Sequence, residues 1–288
     1  MNIFIIGIGL IGGSFAKDLK RLRPESKIYG IDIDPSHEEE ALSLGLIDAR
    51  SSYDELDIAD MVIVTVPVDA MVQELPKVLD AVNDDCVVLD GGSTKSLVCK
   101  TLADHPKRRN YLSAHPIAGT EFSGPSAAIE NLYAGKTNII CEIERTAFKL
   151  QGKALEIFQE MGMRIRYMNP EAHDKHIAYV SHLSHISSFM LGKTVIDKEK
   201  NERDIFDMAG SGFESTVRLA KSSPAMWTPI FKHNRDNVLD TLNEYIQNLQ
   251  EFKQLLEDED YEGIFHEMND TNRIKEILKG IPLNSMGK

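Results

Sequence analysis

The chain has 288 residues and is 42% hydrophobic, so it can bury one large core or two of ordinary size. Its formal net charge of -13 would repel phosphate groups, and we therefore exclude nucleic acid and anionic membranes as partners. No apolar run is long enough to cross a membrane, and three scattered cysteines indicate neither a disulfide framework nor a zinc site. These features are typical of a cytoplasmic globular protein.

A glycine-rich turn follows the first predicted strand, which covers residues 2–6. The turn has the sequence GIGLIG over residues 7–12, and helical periodicity begins directly after it. The first glycine of such a pattern permits a tight turn, the second lets a pyrophosphate approach the backbone, and the third lets helix and strand pack closely. We therefore predict a dinucleotide-binding loop that includes Gly7, Gly9, Leu10, Ile11 and Gly12.

An acidic residue stands at the end of the second predicted strand, which covers residues 27–31. Asp32 lies about 20 residues beyond the glycine pattern, where a carboxylate accepts hydrogen bonds from the ribose hydroxyls. No arginine follows this strand immediately to neutralise a 2′-phosphate. The cofactor expected is therefore NAD rather than NADP.

Strands and helices continue to alternate up to residue 168. A continuous β-branched run over 61–66 ends at Pro67, which we also assign to the cofactor site. A strand over 86–90 leads into the loop GGSTK over 91–95, at a strand end of the kind where open α/β sheets bind ligands. The pattern predicts a doubly wound α/β domain of the Rossmann type over residues 1–168.

A histidine stands in a polar segment, YLSAHPIAGTEFSG, over residues 111–124. We expect His115 to lie in a short loop behind a buried strand, with Ser113, Thr120 and Glu121 among its polar neighbours. That composition is typical of a site. The alternative is that His-Pro only initiates a turn.

Helical periodicity replaces the strand pattern from residue 169 onward. It predicts an all-helical domain over 169–288, with helices over 171–196, 202–208, 215–220, 224–256 and 261–278. The last two helices carry more apolar positions than a lone helix could hide. We therefore expect them to pack against each other and against a second subunit in a homodimer.

Two histidines share a helix face in the sequence SHLSH. The offset of three between His182 and His185 suits metal binding, substrate binding or packing, and metal is the poorest of these because no carboxylate accompanies the pair at a ligand-like spacing. The remaining histidines have charged neighbours, and we interpret them as solvated; they are His37, His105, His173, His176, His233 and His266.

One arginine follows a second glycine-rich turn, GSGFESTVR. Arg218 could bind a substrate carboxylate with two parallel hydrogen bonds, or it could pair with one of the chain's 45 acidic residues. Trp227, the only tryptophan, follows in a new helix, where it is expected in the core or, as a second choice, in a pocket wall.

Together these motifs resemble the prephenate dehydrogenase family over essentially the full chain. The resemblance is carried by GIGLIGGSFA, Asp32, DGGSTK, AHPIAGTEFSG, HDKHIAYVSHLSH and GSGFESTVRLAKSSPAMW. It implies a Rossmann domain followed by an all-helical domain that dimerises and binds substrate. It also implies oxidative decarboxylation of prephenate to 4-hydroxyphenylpyruvate in tyrosine biosynthesis, with hydride passing to NAD⁺.

The resemblance further implies roles for single residues. His115 matches the catalytic histidine that takes the proton of the ring C4 hydroxyl, and Ser93 matches a serine that helps to hold that hydroxyl. His185 and Arg218 match a pair that contacts a substrate carboxylate. Ser181 and Glu121 match residues that line the pocket entrance, with Thr120 beside them, and His182 matches a more structural histidine. We also assign Trp227 to the substrate site. Ser184 and Ser211 stand where the family commonly has proline and glycine.

Three alternatives remain at the level of the sequence. Arogenate dehydrogenase would act on a substrate that carries an amino group in place of the side-chain carbonyl. A β-hydroxyacid dehydrogenase would need a catalytic lysine in the helical domain, and Lys193 lies far from the histidine pair. A non-catalytic NAD-binding protein would leave the histidines and Arg218 unexplained.

Overall fold

The computed structural model describes residues 1–200, 202 and 204–280, and it contains two compact units that divide after residue 235. All eight described strands lie in the first unit. Their bounds are β1 Asn2–Ile6, β2 Lys27–Ile31, β3 Ala49–Arg50, β4 Met61–Val64, β5 Val87–Asp90, β6 Tyr111–Pro116, β7 Thr137–Cys141 and β8 Arg164–Met168.

The strands form one sheet in the order β3-β2-β1-β4-β5-β6-β7-β8. All neighbouring pairs are parallel except β6 and β7, which are antiparallel. The order reverses direction between β1 and β4, and in open α/β sheets ligands bind at the carboxyl ends of the strands beside such a reversal. The predicted α/β class is confirmed.

Helices cover both faces of the sheet, and each face has its own hydrophobic core. Successive residues of β1 alternate between them, so that Ile3 and Ile5 belong to one core while Phe4 and Ile6 belong to the other. Every residue of β4 and β5 is buried, as expected for parallel strands packed on both faces. The helices between strands are α1 Leu10–Leu22, α2 Pro35–Ser43, α3 Val68–Ala81, α4 Ser96–Thr101 and α5 Phe148–Glu160.

The C-terminal part of the described chain is helical, as predicted. Its helices are α6 Pro170–Ile177, α7 Leu183–Glu199, α8 Ser211–Val217, α9 Pro224–His233, α10 Arg235–Glu257, α11 Tyr261–Thr271 and α12 Ile274–Gly280. A π-helical segment, Ala178–His182, joins α6 to α7, so the helix predicted over 171–196 is continuous but locally widened. Such widenings are frequent at functional sites.

Four predicted helices differ from the structure. The one predicted over 215–220 is the end of α8, Ser211–Val217, followed by a 3₁₀ turn at Arg218–Lys221. The helix predicted over 224–256 is broken at Asn234, whose backbone leaves the helical region and whose side chain donates to the Asp174 carbonyl oxygen at 2.6 Å. The helix predicted over 261–278 is two helices, α11 and α12. Of the helix predicted over 202–208, residue 203 lies outside the described residues, and the rest contains a 3₁₀ turn at Phe206–Met208.

Among the described residues, no helix is both long and apolar enough to span a membrane. The two compact units divide after residue 235, whereas the predicted domain boundary lies after residue 168, at the end of the sheet. That functional boundary stays a prediction.

A buried ion pair joins β5, β6 and the loop over 91–95. Asp90, the last residue of β5, is paired with Lys95, and both side chains are fully buried. Asp90 also accepts hydrogen bonds from the Tyr111 hydroxyl at 2.8 Å and from the Ala114 N–H at 2.9 Å. Lys95 Nζ donates to the Ala114 carbonyl oxygen at 2.7 Å. The loop and β6 are therefore held in one arrangement.

We expect Lys95→Met to lower the free energy of unfolding by about 3–5 kcal/mol, because the Asp90 carboxylate would remain buried without its counter-ion. Urea denaturation of the full chain measures this. The matched control is Lys20→Met, which removes a partly exposed partner of Asp48 at 2.5 Å and should cost less than about 1 kcal/mol. Equal stability of Lys95→Met and the unchanged protein would contradict the importance of the pair.

Candidate active site

The turn between β1 and α1 leaves space in front of a helix N-terminus. Gly7 has a φ of 89°, in the left-handed region that favours glycine. A Cβ on Gly12 would lie 2.2 Å from the Gly7 carbonyl oxygen and 2.6 Å from Thr65 Oγ1, so only glycine lets the helix approach so closely. A Cβ on Gly9 would meet nothing within 4 Å, and no side chain caps α1 there. This open cradle fits a pyrophosphate.

Asp32 is held against the glycine-rich turn. Its Oδ2 accepts a hydrogen bond from the Ile8 N–H at 2.7 Å, and its Oδ1 lies 3.3 Å from His37 Nδ1. Glu38 accepts from the Asp32 N–H at 3.1 Å and is paired with Arg50 at 2.6 Å. The carboxylate thus lies beside the cradle, where a ribose diol would be bound.

The other predicted cofactor residues surround the same turn. Leu10 and Ile11 begin α1, and the Ile11 carbonyl oxygen accepts from the Tyr133 hydroxyl at 2.7 Å. Pro67 precedes α3 at the carboxyl end of β4. A Cβ added to Gly91 would lie 3.5 Å from Ile11 Cγ2, so the loop over 91–95 borders the first turn of α1.

His115 lies within β6 and not in a loop, so that expectation was wrong. The antiparallel partner β7 extends the ladder as far as Pro116, which places the histidine opposite Ile139. Because the strand is buried along its whole length, the side chain of His115 is only 9% exposed. The irregular polar loop begins after it and contains Thr120 and Glu121.

A second histidine, His173 of α6, contacts His115 directly. His115 Nδ1 lies 2.8 Å from His173 Nε2, and His173 Nδ1 lies 2.8 Å from Asp174 Oδ1. Asp174 also accepts from the backbone N–H groups of Lys95 at 2.7 Å and Ser96 at 2.9 Å. A chain of three side chains therefore runs from β6 to the start of α4.

The sequence analysis did not predict this series of hydrogen-bonded side chains. It interpreted His173 as solvated, which was wrong, because His173 is 2% exposed. Its neighbours Lys175 and His176 are exposed, whereas His173, Asp174 and Ile177 occupy the inner face of α6. That spacing of three and four was the available signal. His233 was also misjudged, since its side chain is 6% exposed and paired with Asp69.

Burial sets the protonation of these groups. Burial lowers the pKa of His115 well below its ordinary value, and the nearby His173 and Lys95 lower it further. Burial also lowers the pKa of His173, although the hydrogen bond to Asp174 opposes this. For Asp174, burial acts to raise the pKa, but hydrogen bonds from His173 and the two backbone N–H groups lower it overall. At neutral pH both rings are neutral and the carboxylate is ionised.

His182 is fully buried in the π-helical segment. Its Nδ1 lies 3.2 Å from the Asn234 side-chain nitrogen, and its ring meets Trp227 edge-on with centroids 5.8 Å apart. Burial lowers its pKa to about 4. Within the described residues, its Nε2 and the Trp227 Nε1 are buried polar atoms with no hydrogen-bond partner.

His185 stacks on Trp227, with ring centroids 3.5 Å apart. Its Nδ1 lies 2.9 Å from the Ser181 carbonyl oxygen, which can only accept, so the proton is on Nδ1 and Nε2 is the free acceptor. Trp227 also packs with Val68 and Ile230, so it serves both as core and as a wall behind His185.

Arg218 meets the loop that follows β6. Its Nη1 lies 3.4 Å from Glu121 Oε2, and its side chain is 44% exposed. In the same loop Thr120 Oγ1 accepts from the Phe122 N–H at 3.3 Å.

Ser93 is half-buried in the loop over 91–95 and has no hydrogen bond to any residue that the structure describes. No group of three or more His, Cys, Asp or Glu side chains in the described chain is arranged to hold a metal.

Two family models match the chain in succession. The model described as prephenate dehydrogenase, nucleotide-binding domain, matches residues 15–167, and the model described as prephenate dehydrogenase, dimerization domain, matches residues 169–270. A prephenate dehydrogenase of Bacillus subtilis is 32% identical over 99% of this chain and 77% of its own length. A cyclohexadienyl dehydrogenase of Zymomonas mobilis is 30% identical over 96% of both chains.

Solved structures agree with these matches. A prephenate dehydrogenase from A. aeolicus, in complex with hydroxyphenyl propionate and NAD+, superposes with a TM-score of 0.89 at 33% identity and covers 96% of this chain and 98% of its own. An arogenate dehydrogenase of Synechocystis shares the fold, with a TM-score of 0.77 at 24% identity over 96% of this chain and 100% of its own. The chain therefore belongs to the prephenate dehydrogenase family.

Proposed function

We propose that this chain catalyses the NAD-dependent oxidative decarboxylation of prephenate to 4-hydroxyphenylpyruvate, a step of tyrosine biosynthesis. The observation that carries the proposal is the buried, neutral His115, which projects from the same sheet as the dinucleotide cradle and contacts the described residues through a hydrogen bond of only one ring nitrogen. Family membership and the NAD+ complex of a relative support it. We assign residues 1–168 to cofactor binding and residues 169–288 to substrate binding and dimerisation.

The assignment of the NAD-binding residues rests on the open cradle. Gly9 would leave room for the pyrophosphate at the N-terminus of α1, and Asp32, beside that turn, would accept hydrogen bonds from the ribose hydroxyls. The residues assigned to NAD are Gly7, Gly9, Leu10, Ile11, Gly12, Asp32 and Pro67. When bound, NAD⁺ supplies the hydride acceptor.

His115 acts as the general base. Its Nε2 takes the proton of the ring C4 hydroxyl, the C–O bond gains double-bond character, and hydride leaves C4. The electron pair of the ring carboxylate's C–C bond then moves into the ring as CO₂ departs, and the oxygen regains a proton to give the phenol. Ser93, whose hydroxyl has no partner among the described residues, holds the C4 oxygen in place.

The substrate carboxylates are bound on the helical side. His185 presents Nε2, and Arg218 presents a guanidinium that meets Glu121 at 3.4 Å, a weak contact that a carboxylate can replace. Ser181, Thr120, Glu121, His182 and Trp227 complete the pocket.

Arogenate is the second candidate substrate, since it shares the ring and the ring carboxylate, and a relative of 30% identity is a cyclohexadienyl dehydrogenase. The β-hydroxyacid alternative is disfavoured because Lys193 is 64% exposed and paired with Asp197 on the same helix.

A homodimer formed through the helical domain is the proposed assembly. In the second unit, large apolar side chains of α10, α11 and α12 are more than half exposed; they include Leu249, Leu256, Phe265, Met268 and Ile277. Exposure of this kind marks a protein interface. The match to a dimerization-domain model over residues 169–270 agrees with it.

We expect His115→Asn to reduce kcat roughly 10²–10⁴-fold, because the general base is lost. NAD affinity, measured by titration calorimetry, should be unchanged. The control is His176→Asn on the exposed face of α6, which should keep full activity.

Assays with prephenate and arogenate in parallel test the substrate. Higher efficiency with arogenate, or full turnover of His115→Asn, would contradict the proposal.

Arg218→Ala should raise KM for prephenate by roughly 10–100-fold and change kcat much less, because a carboxylate contact made in the ground state is lost. Steady-state kinetics at constant NAD measure the split. Arg166→Ala, an exposed arginine on the edge strand β8, is the matched control. A fall in kcat with KM unchanged would show that Arg218 does not bind substrate.

Light scattering should give a mass of about twice 32.3 kDa for the chain in solution. Phe265→Glu should shift the protein toward monomer, since it would bury a charge in the interface. Phe148→Glu is the control, because Phe148 is an even more exposed aromatic residue of the first unit. A concentration-independent monomer would contradict the proposed assembly.

A further inference from the structure

The pair His173 and Asp174 has no part in the function proposed above, although both side chains are buried beside the proposed base. His173 is 2% exposed and contacts His115 with one ring nitrogen and Asp174 with the other. Asp174 is 2% exposed and holds the first residues of α4 by two backbone hydrogen bonds. Two buried polar residues are thus aligned with one nitrogen of His115.

The hydrogen-bond pattern determines where the protons are. A carboxylate can only accept, so at 2.8 Å from Asp174 Oδ1 the Nδ1 of His173 must carry a proton. In a neutral ring the Nε2 of His173 is then an acceptor. The His115 Nδ1, 2.8 Å away, must be the donor, which leaves Nε2 of His115 with a free lone pair.

We propose that Asp174 and His173 are positioning residues that hold His115 in the tautomer with an unprotonated Nε2, and that they stabilise the imidazolium formed when Nε2 accepts a proton. The proposal rests on the proposed role of His115 as base. It extends that role, since a histidine in the other tautomer would present an N–H to the substrate hydroxyl and could not take its proton.

The opposite arrangement is unfavourable on the same geometry. If His115 carried its proton on Nε2, its Nδ1 would need a hydrogen-bond donor. A neutral His173 could donate from Nε2 only if its Nδ1 were unprotonated, and the lone pair of Nδ1 would then face the Asp174 carboxylate. A protonated His173 would satisfy both neighbours, but it would place a cation in a buried site that already contains Lys95, and burial lowers the pKa of His173. Neutral rings and one carboxylate satisfy every contact.

The hydrogen bonds from His115 through His173 to Asp174 stabilise the state formed by proton transfer. When His115 Nε2 gains the hydroxyl proton, Nδ1–H keeps its own proton and becomes a stronger donor to His173 Nε2. His173 in turn donates more strongly to the Asp174 carboxylate. No second proton moves, and the positive charge on His115 is compensated through His173.

The first test reads the tautomer directly. In the resting enzyme labelled with ¹⁵N-histidine, NMR should show His115 with a protonated Nδ1 and an unprotonated Nε2, its signals being assigned by their loss in His115→Asn. In His173→Leu the proton should move to Nε2 in a large fraction of molecules. A protonated Nε2 on His115 in the unchanged protein would overturn the proposal, whatever the turnover of His115→Asn.

The second test separates the hydrogen bond from packing. His173→Leu fills similar space without an acceptor and should lower kcat roughly 10–100-fold, with KM and NAD affinity within about threefold. His173→Gln can place an amide oxygen near the former Nε2 and should recover most of this loss. His176→Leu on the exposed face of the same helix should change nothing.

The outcomes distinguish the inference from the proposed function. If His115→Asn abolishes turnover but His173→Leu is folded and fully active, the base is retained and the positioning role is wrong. If His173→Gln is as slow as His173→Leu while both bind NAD normally, the ring acts by packing and the proposal is again overturned. Asp174 is left unchanged in these experiments because it also holds the start of α4.

Discussion

The buried ion pair of Asp90 and Lys95 is the interaction on which the site depends. Charges without access to water must be compensated by fixed partners, and here those partners are the Tyr111 hydroxyl and the two backbone groups of Ala114. Ala114 immediately precedes His115. The pair therefore couples the loop over 91–95, which adjoins the dinucleotide cradle, to the strand that carries the proposed base.

Asp174 extends the same constraint into the helical part of the first unit. It accepts from the N–H of Lys95, the residue that forms the buried pair, and from His173, which contacts His115. One carboxylate thus links the loop, α6 and the base. Because these groups are buried and mutually hydrogen-bonded, the position of His115 is fixed before substrate arrives, which is the pre-organisation that the proposed general base would require.

The proposed substrate-binding residues are held differently. Arg218 and Glu121 meet at 3.4 Å in a partly exposed position, where an ion pair contributes little and can be exchanged at small cost. His185 is held by its stack on Trp227 and by a contact of Nδ1 with the Ser181 carbonyl oxygen, and its Nε2 has no hydrogen bond to a described residue. The proposed base is thus held by buried hydrogen bonds, whereas the proposed carboxylate-binding arginine has a partner that is readily replaced.

The sequence by itself determined the features that depend on near neighbours. The cradle is predicted by the glycine spacing over 7–12 and the acidic residue after β2, and the parallel sheet by the β-branched run of β4. These predictions succeed because turn geometry and strand burial depend on residues that are adjacent in sequence. Only the tertiary structure decided that His115 lies inside β6, which required the antiparallel partner β7. It also decided that His173, a surface residue by local composition, faces His115 across 58 residues of chain. Burial and hydrogen bonding arise from residues distant in sequence, and no local pattern records which of them will meet.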